Sequence, residues 1–216
     1  MQRADDAVES AVRTFAATMI GEVAHELNNR LATMRETVGL MEDLARAGKA
    51  GAGGTARAHA SLDDQVGRAL NIVRTLDGLG GALASAAGGF DVGAAIGDLL
   101  GLTGRWARRQ SLSIERTIAP GLPAAVGDPA VFLCLVHRLL VKCAEKQRTG
   151  GGVLVHVEGA GAGIRLRLVP TGARDEGAAA PAADYEKIDR ELAVRLGGEL
   201  LLEGGGAATI IVATAR

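Results

Sequence analysis

The sequence predicts an α+β fold: an N-terminal antiparallel helical hairpin forming a dimeric four-helix bundle, followed by an α/β sandwich. Three observations predict it. Apolar residues recur at helical spacing through roughly the first eighty positions. A single run of glycines interrupts them. Beyond Gly89 the pattern changes to helices separated by short alternating strands.

In the first segment Val8, Val12, Phe15, Met19, Val23, Leu27, Met34, Val38 and Met41 recur mostly three or four residues apart, which predicts a helix over 5–46. Asp5, Asp6 and Glu9 suit the positive end of its dipole. The stretch 48–54, rich in glycine, is expected to break it. Leu62, Val66, Ala69, Val73, Leu76 and Leu83 then follow a heptad seam. Two long helices on a short connection make a hairpin, and an isolated hairpin exposes much of each stripe. Pairing with a second copy covers it, so a homodimer is expected. Ala86-Ala87-Gly88-Gly89 reads as a linker, dividing the chain into a hairpin over 1–86 and a sandwich over 90–216.

In the second unit, residues 91–108 read as a helix and Leu112–Thr117 as a strand. Asp128-Pro129 is a helix start, with aspartate as N-cap and proline at the first helical position. That helix runs to about Lys146. Val153–Val157 and Ile164–Val169 alternate as strands around a turn at 161–163, and Tyr185–Leu196 reads as a helix closed by Gly197-Gly198. Leu200–Leu202 and Thr209–Ala213 are the last strands, with the helices expected on one sheet face.

Composition narrows the function. Hydrophobic residues are 48% of the chain and aromatics 2%, so the cores are built from Ala, Leu, Val and Ile. A formal charge of −1 lacks the basic surplus of a nucleic-acid binder. No apolar run reaches membrane-spanning length and no leader pattern opens the chain, so a cytoplasmic protein without membrane contact is expected. Cys134 and Cys143 lie too far apart on one helix for a disulfide and read as buried thiols.

His25 lies roughly opposite the apolar stripe of the first helix, at 100° per residue. Glu22 and Asn29 share its face, and Glu26 is one step round. A surface histidine is the plainer explanation. However, imidazole is largely neutral at pH 7 and offers a ring nitrogen as nucleophile, and a nearby carboxylate can hold the other N–H.

Residues 21–31, Gly-Glu-Val-Ala-His-Glu-Leu-Asn-Asn-Arg-Leu, resemble the H-box of bacterial two-component sensor histidine kinases. Arg30 replaces that family's usual proline. The resemblance implies that His25 is the phosphoacceptor, Glu26 the acid/base, and Asn29 the polar group that aligns phosphate or water. It also implies a docking platform of Glu22, Leu27, Asn28, Arg30, Leu31 and Ala32. Phe90-Asp91-Val92, Gly127-Asp128-Pro129 and Glu191–Gly198 extend the resemblance to the family's ATP-binding domain.

The nucleotide residues depart from that pattern. The family's long helix carries asparagines for magnesium, but this chain has no asparagine after Asn71, and Arg138 and Lys142 stand in their places. Neither side chain offers a lone pair to a metal. Leu168–Arg174 has no acid in register for adenine, with Asp175 outside the glycine spacing, and Ala182–Lys187 replaces the glycines that cradle phosphate.

The chain therefore looks most like the ChpT-like histidine phosphotransferases, which have a degenerate ATPase-like domain. The expected function is to pass a phosphoryl group between response-regulator aspartates through His25. No cofactor or metal is expected on this chain, and magnesium only on the partner receiver domain. The alternatives are a divergent kinase that autophosphorylates His25, or a receiver phosphatase or pseudokinase partner that uses Asn29. His59, His137 and His156 show no metal spacing and read as surface or boundary residues. Arg105, Arg108 and Arg109 around Trp106 read as a solvated helix end or a small basic docking patch.

Overall fold

The computed structural model describes residues 2–49, 51–84, 88–145, 147, 150–161, 163–172, 183–203 and 206–214. Two long helices open the chain, α1 (Gln2–Arg46) and α2 (Ala52–Ala84). Then come β1 (Gly88–Phe90), α3 (Val92–Arg109), β2 (Ser113–Ile118), β3 (Ala125–Gly127) and α4 (Pro129–Glu145). The chain ends with β4 (Gly152–Ala160), β5 (Gly163–Thr171), α5 (Ala183–Arg195), β6 (Glu199–Leu202) and β7 (Ala208–Ala213). The mixed helix-and-sheet class expected from the sequence is the one observed.

A five-stranded sheet runs in the order β2-β4-β5-β7-β6, parallel at β2–β4 and antiparallel elsewhere. Alternation decides its faces. Val153, Val155 and Val157 of β4, Ile164, Leu166 and Leu168 of β5, and Ile210 and Val212 of β7 are buried, whereas Arg165 and Arg167 between them are exposed. The helices α3, α4 and α5 pack on the strands, and the exposed arginines mark the opposite face. Helix α4 is the centre of the core: Val131 to Val136 are all buried.

Caps set the helix limits. The Asp91 carboxylate accepts from the Ala94 N–H at 3.0 Å to start α3, and Asp128 accepts from Ala130 at 2.8 Å to start α4. Helix α5 ends at Arg195, and Gly197, two residues on, has a φ of +63° that favours glycine. A Cβ on Gly198 would lie 2.4 Å from the Ile211 carbonyl oxygen, so β7 can pass only because no side chain is there.

Three expectations are corrected. The glycine break is shorter than 48–54, because α2 starts at Ala52 and takes Gly53 and Gly54 into its first turn. N–H groups there lack intrahelical partners in any case, so helix-breaking residues are better tolerated. Gly88 and Gly89 are not linker but part of β1, which pairs antiparallel with β3; Ala86 and Ala87 lie outside the described residues. Finally, a second copy is not needed to cover the first half of the α1 stripe. Val8, Phe15, Met19 and Val23 are buried within this chain, where α1 packs against α2, α3, α4 and α5. No described helix is long and apolar enough to cross a membrane.

Candidate functional site

The helical pitch of α1 sorts the side chains around His25. The buried residues Phe15, Met19 and Val23 occupy one side, and His25 is exposed on another. Asn29, one turn on, is half-buried; Asn28, Leu31 and Ala32 face water, and Leu27 is half-buried in the core cluster. Arg30 is turned between the helices instead of outward, donating to Gln65 of α2 at 3.0 Å and to the Glu26 carboxylate. Glu26, only 14% exposed, thus faces the α1–α2 side with Arg30. Consecutive helical residues point about 100° apart, which is why Glu26 and His25 diverge.

Glu22 is not a free acid either. Arg109, at the end of α3, donates from Nη2 to its Oε1 at 2.5 Å. Beside this pair lies a groove of about 510 Å³ between α1, α2 and α3, lined by Glu22, Glu26, Arg30, Asp63, Asp64, Arg68 and Arg108. The groove thus carries charges of both signs contributed by both halves of the chain, and Glu22, three residues before His25, lies on its wall.

The second polar cluster is on α4. Arg138 and Lys142 are one turn apart, so they share a face. Both donate to Asp189 of α5, Arg138 Nε at 2.6 Å and Lys142 Nζ to the other oxygen. Asp189 is fully buried, and the cations are 17% and 12% exposed. A neighbouring cavity of about 710 Å³ is walled by Thr14, Phe15 and Thr18 of α1 and by His137, Arg138 and Lys142 of α4. The rings of Phe15 and His137 lie 5.4 Å apart, and those of Trp106 and His137 6.5 Å apart. Burial first, and then the Arg138 charge, push the His137 pKa down to about 4.

Sequence reasoning missed Asp189, although a signal was present. An aspartate at 189 falls on the spacing of Leu192, Ala193 and Leu196, the buried side of α5, and two cations on an apolar helix call for a counter-charge. The Glu22–Arg109 pair bridges 87 residues and left no local signal. Cys134 and Cys143 are buried thiols; Cys143 donates to the Gly206 carbonyl at 3.4 Å, and burial pushes the Cys134 thiol up to about 12. Arg174, Asp175 and Ala182 lie outside the described residues, as does the side chain of Arg105.

The fold is histidine-kinase-like: N-terminal helices, with His25 exposed on the first, and a sheet unit matching histidine kinase ATPase-type folds. Among solved structures the chain is similar to the catalytic domain of histidine kinase ThkA, at 12% identity, covering 61% of this chain and 97% of that one with a TM-score of 0.50. It is also similar to the Acinetobacter baumannii histidine kinase AdeS, at 16% identity over 89% of this chain and 98% of that one, with a TM-score of 0.48. A bacterial phosphotransferase is similar at 14% identity over 91% and 94%, with a TM-score of 0.45. No family model and no curated protein matches the sequence.

Proposed function

We propose that this chain is a histidine phosphotransferase of a two-component phosphorelay, passing a phosphoryl group between response-regulator aspartates through His25 without binding ATP. One observation carries the reading. His25 stands in water on α1, whereas the two α4 positions that would face a nucleotide, Arg138 and Lys142, are committed to buried Asp189. Those residues do not fit a nucleotide-bound magnesium. Guanidinium and ammonium groups have no lone pair to give a metal.

The chemistry asks little of the chain. A ring nitrogen of His25 attacks the phosphorus of an aspartyl phosphate; the P–O bond to the aspartate breaks and its electron pair stays on the carboxylate. In the second half-reaction an acceptor aspartate attacks the same phosphorus, and the P–N electron pair returns to the imidazole. Asn29, on the same face, aligns the phosphoryl oxygens, and Ala32 leaves room for a receiver loop. Magnesium belongs to the receiver.

A homodimer fits the same reading. Val66, Leu70 and Val73 of α2 are 44%, 51% and 40% exposed, and Leu31 and Val38 of α1 are 57% and 43% exposed. These apolar positions recur at helical spacing on the bundle and suit a second copy.

The test is a mixing experiment with a receiver domain phosphorylated by acetyl phosphate, read on a phosphate-affinity gel. Transfer of phosphate to this chain, absent in His25→Ala, is expected. Autophosphorylation from labelled ATP and magnesium would replace the reading with a kinase. Receiver dephosphorylation by His25→Ala would replace it with a phosphatase acting through Asn29.

A further inference from the structure

The basic end of α3 reaches α1 one turn from His25. Arg109 meets Glu22 at 2.5 Å, and Glu22 lies three residues before His25. Side chains at that spacing are neighbours on a helix, with Cβ atoms about 5–6 Å apart. The Arg109–Glu22 contact uses one carboxylate oxygen; the other, Oε2, is buried with no partner among the described residues. The Arg109 side chain is 48% exposed, so packing does not hold it in place. Phosphotransfer as described above makes no use of this cation.

We propose that Arg109 is a positioning residue for the phosphoryl group on His25, exchanging Glu22 for the phosphoryl oxygens when His25 is loaded. This rests on His25 as the phosphoacceptor. A phosphoryl group carries a charge of about −2 and three strong acceptors. Guanidinium pairs with phosphate in a fork, through two parallel hydrogen bonds. Glu22 offers a single charge and holds Arg109 by one oxygen. Arg108 lines the same groove as Glu22 and Glu26, so a second cation stays with these acids after the exchange. The end of α3, and with it the α/β domain, is thereby tied to α1 through Glu22 when His25 is empty and through the phosphoryl group when it is loaded.

The test needs no receiver. The full chain is phosphorylated with ammonium phosphoramidate, and phosphorus NMR follows the titration of the phosphohistidine signal that His25→Ala lacks. A cation in contact favours the dianion and lowers its second pKa. Arg109→Gln is expected to raise that pKa by about half a unit or more, and Arg109→Lys to restore part of the difference. Glu22→Gln is expected to leave the value low, because Arg109 is then released to the phosphoryl group. An unchanged phosphoryl pKa in Arg109→Gln overturns the inference. So does an equal rise in Glu22→Gln, which would mean that the pair acts only by holding α3 on α1. If His59 and His156 load and His25 does not, the phosphoacceptor reading fails, and the inference falls with it.

Discussion

His137 shows how far a residue's surroundings can depart from its local sequence. Nothing near it marks a special histidine, and the sequence places it at a surface or boundary. In the fold its ring is near those of Phe15 of α1 and Trp106 of α3, and its pKa falls to about 4. The consequence is a pH-dependent stability. An unfolded imidazole takes up its proton near 6.5, the folded one at about 4. Between these values the unfolded chain binds more protons. The stabilisation is complete above the unfolded pKa and is lost as pH falls through the folded one. Between pH 6.5 and 5 the loss amounts to about 2 kcal/mol at ~1.4 kcal/mol per pH unit. Urea unfolding at pH 7 and pH 5 should show this loss in the native chain and a much smaller one in His137→Gln.

At the scale of elements, α4 and α5 are joined by charge inside an otherwise apolar layer. The helix limits of α4 were legible, because Asp128 and Pro129 are start signals that act within one turn. Arg138 and Lys142 were legible as two cations on an otherwise apolar helix. Their partner was not, since Asp189 lies 51 and 47 residues away and a single buried acid has no local pattern of its own. Removing one member of a buried ion pair leaves uncompensated charge. Asp189→Asn should therefore destabilise the chain by about 3–5 kcal/mol, measured by denaturant unfolding. A loss below about 1 kcal/mol would show that water reaches the cluster. The short strands β1 and β3 were missed for a related reason. Three residues cannot display alternation, so only their pairing reveals them.

At the scale of the whole molecule, the apolar surface of the hairpin is divided between two uses. The start of α1 is covered by α3, α4 and α5, while the middle of α2 keeps Val66 and Val73 exposed. The heptad seam mixed both roles: Leu62, Ala69 and Leu76 are half-buried within the chain, Val66 and Val73 are exposed, and the side chain of Leu83 lies outside the described residues. Val66→Asp or Val73→Asp should convert a dimer to a monomer in sedimentation velocity while leaving helicity unchanged. A variant that remains dimeric would move the interface elsewhere on the bundle.

By itself the sequence determined the helices, the longer strands and the outward position of His25. Periodicity, caps and turn residues act over a few positions and need no distant partner. Only the tertiary structure decided which charges meet. The Glu22–Arg109 and Asp189–Arg138–Lys142 contacts, and the packing of Phe15 on His137, join residues 47 to about 120 positions apart. Their physical basis is the burial of one helix layer against another, which brings side chains together regardless of their order along the chain.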